Sequence, residues 1–246
     1  MDRLIADFRA AGATTGVVAV DPSSPFTGGA ILGDRVRLAD RAGDAGLFVR
    51  SLAARAAGGG LAAAAEAAAD VLDAAGFDVV IIETVGVGQG ELDVADAADT
   101  VLVVLVPESG DVVQAMKAGL TEVADVFCVN KSDHPEANLV VRALRQALSM
   151  RPEVEGAWTV PVVTTSATTG EGIGALMERL QEHRDHLQPR WPEVRTIRLR
   201  RRVRRIVDAA RRRDYWTPER EAALSAAVAH PDASPHRAAE EVVRTA

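Results

Sequence analysis

The strongest constraint on this chain is a set of strand-length runs with no polar alternation: Val17–Val20, Val79–Ile82, Val101–Val106 and Val126–Val129. A strand with one wet face alternates polar and apolar residues, so strands like these need cover on both faces. Together with their flanks they predict strands over 15–20, 47–49, 78–83, 100–106, 126–130 and 160–165. Between them lie segments with helical spacing or high helix propensity. These are 1–12, a short helix from about Asp34, 61–75, 92–98, 112–124, 136–149 and 173–187. Strict alternation of buried strands with helices predicts an α/β fold with a mostly parallel sheet covered on both sides. Ligands of such sheets sit at the carboxyl ends of the strands. Here those ends carry Asp21, Glu83, Pro107-Glu108, Asn130 and Ser166.

After Gln188-Pro189-Arg190-Trp191-Pro192 the pattern changes to helices alone. This predicts a nucleotide-binding domain over 1–187 and a helical arm over 188–246. Between Arg190 and Arg213 eleven arginines face only Glu193 and Asp208, a net +9. The whole chain is −7, which leaves −16 for the rest. Leu199, Val203, Ile206 and Ala210 recur every three or four residues in this basic stretch, as in an amphipathic helix. RNA or DNA binding through the arginines is the alternative of a different class, and the acidic body opposes it. No apolar run approaches the ~20 residues that span a bilayer, so no membrane partner is expected. The single cysteine, Cys128, excludes an internal disulfide and a cysteine-built zinc site, and fits a cytoplasmic protein. No chemistry is assigned to His134, His183, His186, His230 or His236, for which surface or capping roles are the default.

Four motifs fall at strand ends. Asn130-Lys131-Ser132-Asp133 follows the strand at 126–129. A carboxylate at Asp133 can accept two parallel hydrogen bonds from the N1–H and exocyclic amine of guanine. Adenine lacks that donor pair and would leave the carboxylate unsatisfied. Asn130 can bridge loop and base, and the alkyl stem of Lys131 can lie over the ring. Thr165-Ser166-Ala167, one strand further on, matches a loop whose backbone N–H meets the guanine carbonyl. Val79–Glu83 delivers an acidic residue at a strand end, with Gly86 three residues on. In nucleotide hydrolases that spacing sets a carboxylate near Mg²⁺ and a glycine amide near the γ-phosphate. Gly86-x-Gly88 also begins a dinucleotide fingerprint, but Glu91 stands where that fingerprint needs glycine. Asp21 and Asp34 bracket a loop of small residues suited to a metal-contacting switch, or to an Asp-Pro turn followed by a helix cap.

These stretches resemble the MeaB/ArgK family of GTPases, chaperones of adenosylcobalamin-dependent methylmalonyl-CoA mutase. The resemblance is carried by Ala19–Ser24, Thr27–Asp34, Glu83–Gln89, Gly110-Asp111, Asn130–Asp133 and Ser234–Ala239. It implies a P-loop GTPase fold, GTP and GDP as ligands, and hydrolysis of GTP with Mg²⁺. Asp21, Asp34 and Glu83 would surround the metal and the attacking water, and each is a candidate general base. Gly86 would contact phosphate, and Asn130, Lys131, Asp133, Ser166 and Ala167 would hold the base. Gln89 and Glu91 would lie in the second switch, where Gly90 departs from the family pattern. The implied partners are a cobalamin-dependent acyl-CoA mutase and, through the arm, a second copy of the chain.

One element of the family is missing. A P-loop NTPase needs Gly-x-x-x-x-Gly-Lys-Ser/Thr ahead of its first helix. This chain has no Gly-Lys dipeptide, and of its two lysines Lys131 belongs to the base motif while Lys117 falls mid-helix. Met1-Asp-Arg-Leu-Ile starts where the helix after the phosphate loop would already be under way. The expectation is a GTPase domain lacking its first strand and phosphate loop, a truncated form with weak or absent GTP binding. The alternative is a nucleotide-deficient interaction protein of the same family.

Overall fold

The computed structural model describes residues 1–22, 41, 43–54, 60–84, 97–107, 119–152, 154–229 and 235–244. The chain divides into two compact units, Met1–Trp191 and Pro192–Ala246.

In the first unit the order is α1 (Asp2–Ala10), β1 (Thr15–Pro22), β2 (Leu47–Ala54), α2 (Gly60–Ala74) and β3 (Val79–Thr84). There follow β4 (Leu102–Leu105), α3 (Leu120–Val123), β5 (Val126–Val129), α4 (Ala137–Ser149), β6 (Val162–Thr164) and α5 (Ile173–Leu187). All strand pairs are parallel, as expected for runs apolar on both faces. Strand β2 runs five residues past the expected Val49, because its whole length pairs with β1 from Thr15↔Leu47 to Pro22↔Ala54.

The strands form two sheets, β2-β1-β3 and β4-β5-β6. Successive residues of a strand face opposite layers, and the cores follow that parity. In β5, Phe127 and Val129 pack with Val140, Val141 and Leu144 of α4, while Val126 and Cys128 pack with Leu176 of α5. In β1, Val18 and Val20 meet Ala65 and Leu72 of α2, while Val17 meets Ile5 of α1. Gly16 is needed here because a Cβ would run into the Leu72 side chain. Helix α1 touches both sheets. Ile5, fully buried, packs on Val17 of β1, and Leu4 joins the cluster around Val126 and Cys128 of β5.

The sheet edges are less well covered than their sequences predict. Every residue of β5 is buried, whereas all six of β3, including Val79-Val80-Ile81-Ile82, are only half-buried. Val104 in the middle of β4 is 51% exposed.

Among the described residues the second unit is built from α6 (Trp191–Tyr215), α7 (Pro218–Ala229) and α8 (Pro235–Arg244). Helix α5 passes into α6 through one 3₁₀ turn, Gln188–Arg190. Pro189 and Pro192 are tolerated because each stands in the first turn of its helical segment, where no intrahelical N–H is required. On α6, Ile197, Leu199, Val203, Ile206 and Val207 are all exposed. At the α6–α7 turn the Arg220 guanidinium lies 4.3 Å over the Tyr215 ring and donates to the Tyr215 carbonyl at 2.9 Å.

Candidate functional site

The carboxyl ends of β5 and β6 bring together two motifs that lie 35 residues apart in sequence. Strand β5 delivers Asn130 because its backbone N–H is held by the Leu105 carbonyl at 2.9 Å, which continues the ladder one residue past the strand. Lys131 then turns the chain with φ 57°, the only positive-φ residue other than glycine among the described residues. A left-handed lysine carries backbone strain, and such strain concentrates at ligand sites. The turn is fixed by Ser132 N–H donating to the Thr165 carbonyl and His134 N–H to the Lys131 carbonyl, each at 2.9 Å.

Asn130 is the hub. Its Oδ1 accepts from the Thr165 hydroxyl at 3.2 Å and from the Ala167 N–H at 3.0 Å. Both are donors, so the Asn130 amide is oriented with its oxygen toward the β6 loop and its NH₂ away from it. Below it, the Cys128 thiol and the Thr165 hydroxyl lie 3.1 Å apart, both buried. Burial pushes the Cys128 thiol up from its ordinary value, so this sulfur is a neutral member of the network. Asp133, Lys131 and Ala167 are exposed and line the open side, while Ser166 is buried beneath them. The Ser166–Glu171 loop closes on itself through Gly170 N–H to the Ser166 carbonyl (2.8 Å) and Ser166 N–H to the Glu171 carbonyl (2.9 Å). Thus Lys131, Asp133 and Ala167 lie on the exposed side of the paired turn and loop, joined through Asn130, with Ser166 buried. The Ala167 N–H expected to face a base carbonyl is engaged by Asn130, so a ligand must share or displace that bond.

Glu83 sits at the end of β3, in register with Ala19 of β1, two residues before Asp21. One of its carboxylate oxygens is withdrawn from solvent. Asp21 pairs in register with Ala53 of β2. The two acidic positions therefore share the carboxyl end of the β2-β1-β3 sheet. Asp34, Gly86, Gln89, Glu91, Lys117, the Gly110-Asp111 pair and Ser234 lie outside the described residues.

Three features were not read from the sequence. Cys128 carries a signal in retrospect, since it stands two residues before Asn130 on a buried strand and so shares its face. Arg3 donates from Nε to the Ala167 carbonyl at 2.8 Å and from Nη2 to the Thr168 carbonyl at 2.9 Å, and nothing local announces a pairing across 164 residues. The third lies at the opposite, amino ends of the strands. His183 of α5 is 3% exposed, with Nδ1 2.8 Å from the Thr100 hydroxyl and Nε2 3.4 Å from an Asp125 carboxylate oxygen. The Trp158 ring lies edge-on to it at 4.9 Å and donates Nε1–H to the Asp125 carbonyl at 2.7 Å. Burial lowers the His183 pKa against the opposing pull of Asp125, and burial likewise raises that of Asp125.

The family profile described as methylmalonyl Co-A mutase-associated GTPase MeaB matches residues 1–215. A putative GTPase of Pyrococcus horikoshii is 44% identical over 84% of this chain and 67% of its own length. The GTPase ArgK of Escherichia coli is 39% identical over 66% of this chain and 50% of its own. The chain thus spans between half and two thirds of the length of these relatives. Among solved structures, that of LAO/AO transport system kinase superposes with a TM-score of 0.72 at 23% identity, covering 98% of this chain and 74% of that one. At that identity the likeness speaks for the fold alone, an α/β fold with parallel strands.

Proposed function

The chain belongs to the family of methylmalonyl Co-A mutase-associated GTPases, and from that premise we propose that it is the guanine-recognising and switch-bearing part of a GTP-hydrolysing chaperone. Its client is an adenosylcobalamin-dependent acyl-CoA mutase, and its compartment is the cytoplasm. The observation that carries the nucleotide reading is the Asn130 hub, which ties the Asn-Lys-x-Asp turn to the Thr-Ser-Ala loop at 3.0–3.2 Å. Asp133 reads the guanine edge, Lys131 covers the ring and the Ala167 N–H meets the base carbonyl. Asp21, Asp34 and Glu83 hold Mg²⁺, which neutralises phosphate charge when bound.

The phosphate end is a different matter. With no Gly-Lys dipeptide, no lysine is left to pair with β- and γ-phosphates. The separation into β2-β1-β3 and β4-β5-β6, the half-exposed Val79–Ile82 and the exposed Val104 all support a sheet short of one strand between β3 and β4. A parallel strand seated there would satisfy two open edges and cover apolar residues. Its carboxyl end would open onto the site. On this reading the chain as it stands binds GTP weakly or not at all, since phosphate contacts carry much of a nucleotide's affinity. The second reading is an interaction protein of the same family that works without nucleotide. The exposed apolar stripe of α6, from Ile197 to Val207, supports a homodimer through the arm.

Calorimetry with GTP and Mg²⁺ tests the first point: submicromolar affinity would overturn the weak-binding reading. Co-purification with a cobalamin-dependent mutase tests the chaperone role, and a chain that never retains such an enzyme would end it.

A further inference from the structure

We propose that Arg3 is a positioning residue for the base-reading loop. It presents Ala167 to the 6-carbonyl of a purine, and so tunes the site toward 6-oxopurines. This rests on the guanine reading given above.

The Ala167 residue is gripped on both sides of its backbone. Its N–H goes to Asn130 Oδ1 at 3.0 Å, and its carbonyl takes the Arg3 Nε–H at 2.8 Å. The next carbonyl, of Thr168, takes Arg3 Nη2–H at 2.9 Å. A guanidinium offers two donors in one rigid plane, and two consecutive carbonyls of a turn match that fork. Lysine cannot make both contacts at once. The loop needs such a clamp, because Ala167, Thr168 and Thr169 are exposed and no apolar side chain of theirs fixes them to the core. Arg3 in turn has a firm base. Its neighbours on α1, Leu4 and Ile5, pack into the β5 and β1 cores respectively. The clamp therefore refers the position of Ala167 to both sheets at once. Among the described residues no hydrogen bond or ion pair joins Arg3 to Asp133, since Arg3 donates to the Ala167 and Thr168 carbonyls, so the two halves of base reading are separable. The Asp133 side reads N1–H and the 2-amino group, and the Ala167 side reads the 6-carbonyl.

The test compares wild type with Arg3→Ala and Arg3→Lys. Arg3 is exposed and alanine is the best helix former, so Arg3→Ala keeps α1. In ligand-free protein, hydrogen exchange of the amides from Ala167 to Glu171 should quicken by roughly tenfold in Arg3→Ala, and less in Arg3→Lys, with β5 amides unchanged. Binding of GMP, IMP and 2-aminopurine riboside monophosphate, followed by NMR titration, supplies the second readout. GMP and IMP should each weaken by roughly three- to tenfold in Arg3→Ala with their ratio preserved, since both carry the 6-carbonyl. The 2-aminopurine nucleotide, which lacks it, should be unaffected. A general packing role would weaken all three alike and speed exchange across β5 and β6, and that outcome overturns the proposal, as does unchanged loop exchange. If wild type binds none of the three, the 6-oxopurine claim is overturned, whereas the guanine reading, which already expects weak or absent binding by this chain, is not. Loop exchange then still decides whether Arg3 is the clamp.

Discussion

Asn130 holds two donors with one oxygen, and one of them, the Thr165 hydroxyl, is buried. Asn130→Ala removes the shared acceptor and leaves the buried Thr165 hydroxyl only the weak Cys128 sulfur as a partner, at a cost of about 1 kcal/mol or more. Urea unfolding should show that loss as a lower midpoint with an unchanged slope. Two glycines on the same loop make a sharper comparison. Gly170 and Gly172 both have positive φ, +85° and +75°, which costs an alanine roughly 1–2 kcal/mol. At Gly170 a Cβ meets open space, whereas at Gly172 it would overlap the Thr164 carbonyl oxygen. Gly172→Ala should therefore destabilise roughly twice as much as Gly170→Ala or more, because backbone must move. Equal midpoints for the two variants would contradict this account of the loop. The Asn130–Asp133 turn and the Thr165–Ala167 loop were legible in the sequence because each is a run of consecutive residues at a strand end. Arg3 was not, because its role consists of bonds to distant backbone carbonyls.

Helix α5 carries a pH dependence. Burial holds His183 neutral below its ordinary pKa, so on acidification the unfolded chain takes up a proton first. The stability tied to this histidine is whole above the unfolded value near 6.5 and is lost as pH falls through the lower folded value. The raised pKa of Asp125 works the other way, since protonating that buried carboxyl relieves its desolvation as pH falls toward about 3.8. Arg151 and His186 are the other charged or titratable groups acting on the pair. Thermal midpoints measured from pH 7.5 to 5.5 should decline in wild type and flatten in His183→Asn, which keeps a partner for Thr100 but does not titrate. A parallel decline in both would remove His183 from the explanation. Helix α1 adds a second, more acidic window. Arg9 grips Asp44 at 2.7 and 2.8 Å, and with the Gly46 N–H holds its pKa down to about 2. That contribution is present above the unfolded value near 3.8 and fades as pH falls toward 2. Gly46→Ala should shrink the acidic step without removing it, because a Cβ there displaces the Arg9 guanidinium while the residue 46 N–H remains.

For the whole molecule the open question of energetics is the pair of half-sheets. Parallel strands gain stability from neighbours on both edges and cover on both faces, and among the described residues β3 and β4 each pair on one edge and are partly exposed. A variant carrying an added apolar strand and a Gly-x-x-x-x-Gly-Lys-Ser loop ahead of Met1 should gain in two measurable ways. Its thermal midpoint should rise without ligand, as Val79–Ile82 and Val104 become covered. Its GTP affinity should improve by about two orders of magnitude or more, with a further midpoint rise in saturating nucleotide. An extended variant no more stable than the parent would show that no strand belongs between the sheets. The dimer reading is tested at the same scale. Val203→Asp and Ile206→Asp on the exposed stripe of α6 should leave the first unit folded and give a monomer in light scattering.

The sequence by itself determined the α/β class and the parallel direction of the strands, and it carries the Asn-Lys-x-Asp turn on which the guanine reading rests. Each depends on local patterns: apolar runs of strand length, helical spacing, and four consecutive residues at a strand end. That these 246 residues hold no Gly-Lys dipeptide is a matter of counting. Only the tertiary structure decided that Asn130 shares its oxygen between Thr165 and Ala167, that Arg3 clamps the opposite face of that loop, and that His183, Asp125 and Trp158 form a buried cluster at the far ends of the strands. The same holds for the division into two three-stranded sheets. These are contacts between residues far apart in sequence, fixed by strand order and helix packing. No local propensity encodes which carbonyl a distant guanidinium will meet.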